Sequence, residues 1–423
     1  MKIFKKEYLP VILLAAAIAL SPSFSAGQIT GGRVIEIRVE DILIVILGLV
    51  WMTNFLISGR KKIEKPPLLL PILAWLGVGF FSVLTNWILG NIGFSRGFFY
   101  FLKEVQFFFL YFYLFYHIRS LDSAKFIIKF WIFLGFINVG WVVYQIIASS
   151  EARYYYGPTA IAEPAASFPS GGFFVLLFIF LFNILLYYFL NLKISIFKKA
   201  ILIVATISPI IGIIGSGSRT GFLSFIFAIL LSLFFFFLKK RNLKTFLSGV
   251  LISTIILILI FSFLSLVFED SPRVSKRIGS VLEPASLFST YLEGRIETTI
   301  GFLLGEALRG PSHLPFFGLG KGYLIGEAHN QYLRNFIETG VIGSIIFLIL
   351  IFAIIKRAWQ GFSKGKDQLS IGLSVGLLVA TLTMLFISLA TEVFTVVKPS
   401  EVYWFFAAIT MAVFSINKKT VTA

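Results

Sequence analysis

Residues 172–191 read GFFVLLFIFLFNILLYYFLN, twenty positions without a charged side chain. A helix of about 20 apolar residues crosses the hydrocarbon core of a bilayer. The run is continuous rather than alternating, which disfavours a strand of a transmembrane barrel. Segments of the same kind recur near 8–25, 41–58, 68–89, 98–118, 124–148, 198–215, 220–238, 246–268, 336–355, 369–391 and 401–416, making twelve. Composition agrees with this reading. Of 423 residues, 58% are hydrophobic, only 13% are charged and Phe alone supplies 50. A water-soluble fold of this size carries roughly 25% charged residues, and disorder requires low hydrophobicity. Both classes are excluded. The sequence predicts an all-α polytopic membrane protein of about twelve transmembrane helices.

The formal net charge of +17 would suggest nucleic acid on a soluble protein, but here its distribution decides its meaning. Alternate connections hold 23 of the 37 basic residues, including Arg60, Lys61 and Lys62, Lys239, Lys240 and Arg241, and Lys356 and Arg357. The positive-inside rule places these connections in the cytoplasm, with both termini. The other face then carries 14 basic and 16 acidic residues. It has no bulk basic patch, and no nucleic-acid partner is expected; membrane lipids are. Met1–Gly27, with its basic head and Ser23-Phe24-Ser25-Ala26, also resembles a cleavable signal peptide. Its removal would leave eleven spans and the same downstream topology. There is no Cys, and three His (His117, His313 and His329) leave no room for a histidine-rich metal cage.

The whole chain, 1–423, reads as one membrane domain. Two external connections are long: 149–171, and 269–335 between spans 9 and 10. Loops above about 15 residues are usually functional. In the larger one, Leu287, Tyr291, Leu292, Ile296, Ile300, Leu303 and Leu304 recur at three-and-four spacing. An amphipathic helix is expected over about 286–308. Pro311, Pro315 and the run Gly318-Leu319-Gly320-Lys321-Gly322 then break regular structure.

Three segments could carry chemistry. In Ser216-Gly217-Ser218-Arg219-Thr220-Gly221, small hydroxyls, free N–H groups and a guanidinium near a helix start suit an anion; the same residues suit a tight turn with a snorkelling Arg. Glu293-Gly294-Arg295 lies on the loop helix, where Arg295 could equally pair with Glu293 or Glu297. Ala328-His329-Asn330-Gln331-Tyr332-Leu333-Arg334 leads to Gly340 and Gly343 and brings His329 to the external boundary. Imidazole is the usual general base near neutral pH, although a lone His is more often structural. Arg334 could contact phosphate or pair with Glu338 at i,i+4. Arg153 and Glu163, in the other long loop, could bind sugar or acceptor or be plain surface. Lys103, beside Glu104 inside span 4, should face the protein interior. His117 reads as structural and His313 as solvated.

Taken in order, Ser-Gly-Ser-Arg-Thr-Gly, Gly-Arg on a loop helix, Gly-x-Gly-x-Gly, then His-Asn, nine residues and Gly-x-x-Gly resemble the O-antigen ligase and O-antigen polymerase superfamily. The likeness is concentrated in residues 215–345, supported elsewhere by topology. It implies a GT-C-like fold with a periplasmic 269–335 loop in a bacterial inner (cytoplasmic) membrane. It also implies an inverting, metal-independent glycosyltransferase without cofactor. The donor would be a glycan on undecaprenyl pyrophosphate; the acceptor would be lipid A-core for a ligase, or a second lipid-linked glycan for a polymerase. By the resemblance, Arg219 and Arg295 would hold the pyrophosphate and His329 would act as general base, with Ser218, Asn330, Arg334, Glu163, Arg153, Lys103 and Lys321 as further donor or acceptor contacts. One departure is Thr299, where the ligases often have Leu four residues after the second Arg. A secondary transporter is the competing class, since twelve spans are common there. Transporters bind near the bilayer midplane on repeated halves, whereas the polar residues here gather at the external boundary.

Overall fold

The computed structural model describes residues 8–21, 23–29, 33–58, 65–148, 160–161, 167–241, 314–324 and 330–422, with single helical positions at Leu247, Leu251, Ile255, Ile258 and Ser262. The regular structure in this part is helical except for one hairpin. In order come α1 (Leu9–Leu20), β1 (Ser23–Ile29), β2 (Arg33–Arg38), α2 (Val39–Ser58), α3 (Leu69–Ile88), α4 (Phe94–His117), α5 (Leu121–Ile147) and α6 (Ser167–Tyr187). They are followed by α7 (Ile196–Ile207), α8 (Pro209–Gly215), α9 (Arg219–Lys240), the short α10 (Leu314–Phe317), α11 (Gln331–Lys364), α12 (Gln368–Ile387) and α13 (Val397–Thr422). Nine helices among the described residues are long and apolar enough to cross a membrane, with α7 and α8 acting as one continuous span. The chain is a multi-pass membrane protein.

Two expectations need correction. The first apolar segment is not one helix over 8–25. It stops at Leu20, and an antiparallel hairpin follows, pairing Ser23 with Arg38 and Ile29 with Arg33. This two-stranded hairpin is the one sheet among the described residues of an otherwise all-α polytopic fold. The tenth predicted span, 336–355, is the middle of a 34-residue helix that starts at Gln331 and ends at Lys364. The predicted loop helix at 286–308 lies outside the described residues, as does most of the predicted span at 246–268.

Helices α6, α12 and α13 form the centre of the bundle and are buried on nearly all sides. In a membrane, helices associate through close packing of small residues and interhelical polar bonds. Both occur here. Gly372 and Gly376 of α12 sit against α6, where an added Cβ at Gly372 would lie 3.0 Å from the Asn183 carbonyl oxygen. Phe180 of α6 stacks on Phe406 of α13 at 4.4 Å, and Trp131 of α5 meets Phe405 edge-on at 5.1 Å. Asn183 donates to Ser232 of α9 at 3.0 Å, and Thr381 pairs with Tyr403 at 2.8 Å.

Helix direction sorts the chain into two ends. Lys239, at the end of α9, donates to the Phe362 carbonyl near the end of α11. At the opposite end the α11 N–H of Gln331 donates to Ser388, just past α12. Gln106 of α4 pairs with Glu401 of α13 and Tyr111 with Trp404, so these two helices run the same way. The last turns of α4, α9, α11 and α13 therefore share one end with the first turns of α5, α7 and α12. This end carries Arg119, Lys193, Lys198, Lys239, Arg241, Lys364, Lys366 and Lys418 and is called the basic end. The other, polar end gathers the hairpin, the start of α9, residues 314–324 and the start of α11.

Candidate functional site

The polar end is organised by a break in α11. Gly340 has φ 65° and ψ −166°, a conformation open essentially to Gly alone. The break takes the Ile337 and Glu338 carbonyls out of the helical ladder. They accept instead from the N–H groups of Leu319 (2.6 Å) and Gly320 (3.1 Å). Residues 318–322 thus lie as a strap along the first turns of α11. Gly318, Gly320 and Gly322 all have positive φ, which is why this run is glycine at alternate positions. Approach is also too close for a side chain: a Cβ at Gly318 would stand 2.5 Å from the Glu338 backbone. The strap is fixed from the other side by α3 and α4. Ser82 donates to the Glu338 carbonyl (2.5 Å), Asn86 to the Gly318 carbonyl (3.1 Å) and Arg96 to the Tyr323 carbonyl (2.7 Å).

A buried ionic network runs through the strap. The Glu338 carboxylate accepts from the Gly322 N–H at 2.9 Å and from Arg334 Nε at 3.1 Å. Lys321, fully buried, donates to Glu104 at 2.6 Å, lies 3.9 Å from Glu338 and sits 4.4 Å above the Trp75 ring. Arg334 also pairs with Glu392, in the connection between α12 and α13. Among the described residues this network holds three carboxylates and two cations. A second cluster lies at the start of α13. Lys398, wholly buried, pairs with Glu40 and stands 3.4 Å from Glu401; Ser21 donates to Glu40, and Gln106 to Glu401 at 3.0 Å. Removing one member of such a buried pair leaves an uncompensated charge, while the intact pair contributes little net stability. Their consequence is therefore register: each cluster locks helices distant in sequence.

The sequence-predicted residues fall into three groups. His329, Arg295, Arg153 and Glu163 lie outside the described residues, as does His313. Arg219 and Ser218 stand where α9 begins, at the polar end. Ser218 is the buried N-cap, accepting from the Gly221 N–H at 3.1 Å, and Arg219, half-buried, is the first helical residue. Gly217 turns the chain at φ 60°, and Gly171 of α6 lets this turn approach: a Cβ there would stand 2.9 Å from Ser218. Asn330 caps α11, accepting from Leu333 at 3.0 Å and donating to Leu389 at 3.3 Å. The third group is engaged by carboxylates. Lys321 and Arg334 meet in the network through Glu338, whereas Lys103 is held apart from them by Asp41 at 2.6 Å. His117, at the basic end, bonds the Tyr113 carbonyl at 2.7 Å and stacks on that ring.

Sequence reading offered Glu338 as a partner of Arg334, and the two do pair; it missed Glu40, Asp41, Glu392, Lys398 and Glu401 as members of ionic clusters. A signal existed, because charges near or inside apolar spans are costly and normally paired. No family model and no curated protein matches this chain.

Proposed function

We propose that this protein is a membrane glycosyltransferase of the O-antigen ligase and polymerase type, moving a glycan from undecaprenyl pyrophosphate to an acceptor hydroxyl. One observation carries the reading. The Ser218-Arg219 turn, the glycine strap and the Asn330 cap, which resemble one family's motifs in order, come together at one end of the bundle. In this reading the basic end faces the cytoplasm and the polar end the periplasm, twelve spans cross the inner membrane, and 269–335 is the periplasmic loop. Both termini are then cytoplasmic.

Arg219 and Arg295 hold the pyrophosphate in this mechanism, their planar donors stabilising charge on the leaving group. His329 takes the proton from the acceptor hydroxyl as its oxygen attacks the anomeric carbon. The C–O bond to pyrophosphate breaks in the same displacement, so configuration inverts. The acceptor is lipid A-core in the ligase form. The test is a reconstituted reaction with lipid-linked glycan, offering core acceptor and a second lipid-linked repeat separately. Transfer to core supports a ligase, and transfer to the repeat makes the protein a polymerase. Transfer retained by His329→Ala or Arg219→Ala would overturn the mechanism; transport of the glycan without a new bond would overturn the class.

A further inference from the structure

We infer that a buried water molecule occupies the cavity beside Glu104 and ties α4 to the start of α11 and to the α12–α13 connection. The cavity measures about 20 Å³ and is lined by Glu104, Gln331 and Thr395 together with aromatic and aliphatic side chains that include Trp75, Phe394 and Trp404. A water needs roughly 10–15 Å³ by the same measure, and two to four polar partners. The cavity has room for a water.

The polar lining supplies those partners. Glu104 gives one carboxylate oxygen to Lys321, and its second, Oε2, is buried with no hydrogen-bond partner among the described residues. An ionised carboxylate in that position is costly unless its remaining oxygen is bonded. Gln331 accepts from the Phe394 N–H at 3.1 Å and donates one amide hydrogen to Asn335 at 2.9 Å. An amide nitrogen carries two hydrogens, so one remains. Thr395 donates its hydroxyl hydrogen to the Glu392 carbonyl at 2.8 Å and keeps acceptor capacity. The cavity therefore presents two acceptors and one donor. Water matches this set, donating to Glu104 Oε2 and Thr395 Oγ1 and accepting from Gln331. An apolar pocket of this size would stay dry, but the carboxylate makes this one polar.

The inference does not depend on the proposed function, and its test uses the full chain in detergent. Hydroxyl radicals generated by X-rays in H₂¹⁸O modify side chains next to bound water even where bulk solvent does not reach. Trp404 and Phe394 should be modified well above Phe180 and Phe406, which are also buried but lie away from the cavity. Thr395→Val should lower that modification by about fivefold, while Thr395→Ser keeps it, because only the serine retains the water's acceptor. Background modification of Trp404 and Phe394 in the unaltered protein would overturn the inference without reference to any variant. So would a saturable rise in thermal midpoint with NaCl, absent with choline chloride and lost in Glu104→Gln. That result would assign the cavity to a sodium ion.

Discussion

Gly340→Ala is the most direct perturbation of the polar end. The native φ of 65° with ψ −166° lies in a region essentially closed to alanine, and holding a side chain there costs about 1–3 kcal/mol. The added Cβ would also stand 2.3 Å from the Phe316 carbonyl oxygen and 2.6 Å from the Phe317 nitrogen. Both are backbone atoms, so no side-chain rotation relieves the clash. If α11 straightens instead, the Leu319 and Gly320 N–H groups lose the carbonyls they bond, and two such bonds are worth about 1 kcal/mol each. The strained route predicts a loss of about 1–3 kcal/mol before the clash is counted, and the straightened route a loss of about 2 kcal/mol. The assay is SDS-induced unfolding of the purified protein in mixed micelles. Gly140→Ala is the control, since that glycine faces outward on α5 with open space at its Cβ position; it should gain up to about 1 kcal/mol from helix propensity. If Gly340→Ala unfolds within 1 kcal/mol of Gly140→Ala, by the same scale of effects, the broken helix does not hold the strap.

Lys398→Met should cost about 3–5 kcal/mol, because it strands the buried carboxylates of Glu40 and Glu401. Adding Glu40→Gln should then cost less than it does in the parent by at least about 1 kcal/mol, measured as a double-mutant cycle in the same unfolding assay. Sidedness is open to a clean test because the chain has no native Cys. A membrane-impermeant maleimide applied to intact spheroplasts should label Ser95→Cys, exposed at the polar end, and leave Ser195→Cys, exposed at the basic end, until the membrane is opened. The reverse pattern would invert the proposed orientation and take the proposed active site away from the periplasm.

The spans were legible wherever an apolar run stood alone. Sequence placed one at 68–89 and the helix covers Leu69–Ile88; another at 369–391 corresponds to Gln368–Ile387. Errors arose where a helix outran its hydrophobic stretch. Helix α11 starts five residues early because Gln331, Arg334, Asn335 and Glu338 are polar yet buried, bonded to one another and to neighbouring elements. Hydropathy reads such residues as loop. The hairpin was missed for the opposite reason: Phe24 extends the apolar count of α1 past its end. Thr30-Gly31-Gly32 followed by alternating Arg33-Val34-Ile35-Glu36-Ile37-Arg38 was the available hairpin signal.

The buried network also sharpens where an anion can bind. Arg334 and Lys321 already face Glu338, Glu392 and Glu104, and the described members of that network carry one more carboxylate than cations. A pyrophosphate entering it would meet net negative charge in a medium of low dielectric, where repulsion is strongest. Sequence spacing could not reveal this, because Glu392 reaches Arg334 from 58 positions away and Glu104 reaches Lys321 from 217. The two cations are better understood as holding the strap and the start of α11, the element that follows His329 and Asn330 in the chain. Under the proposed function, donor binding then falls to Arg219 and Arg295. Arg334→Lys should accordingly lower the thermal midpoint, by loosening a two-carboxylate clasp that needs a planar guanidinium, before it changes affinity for the lipid donor. A variant with unaltered midpoint and weakened donor binding would return Arg334 to the anion site.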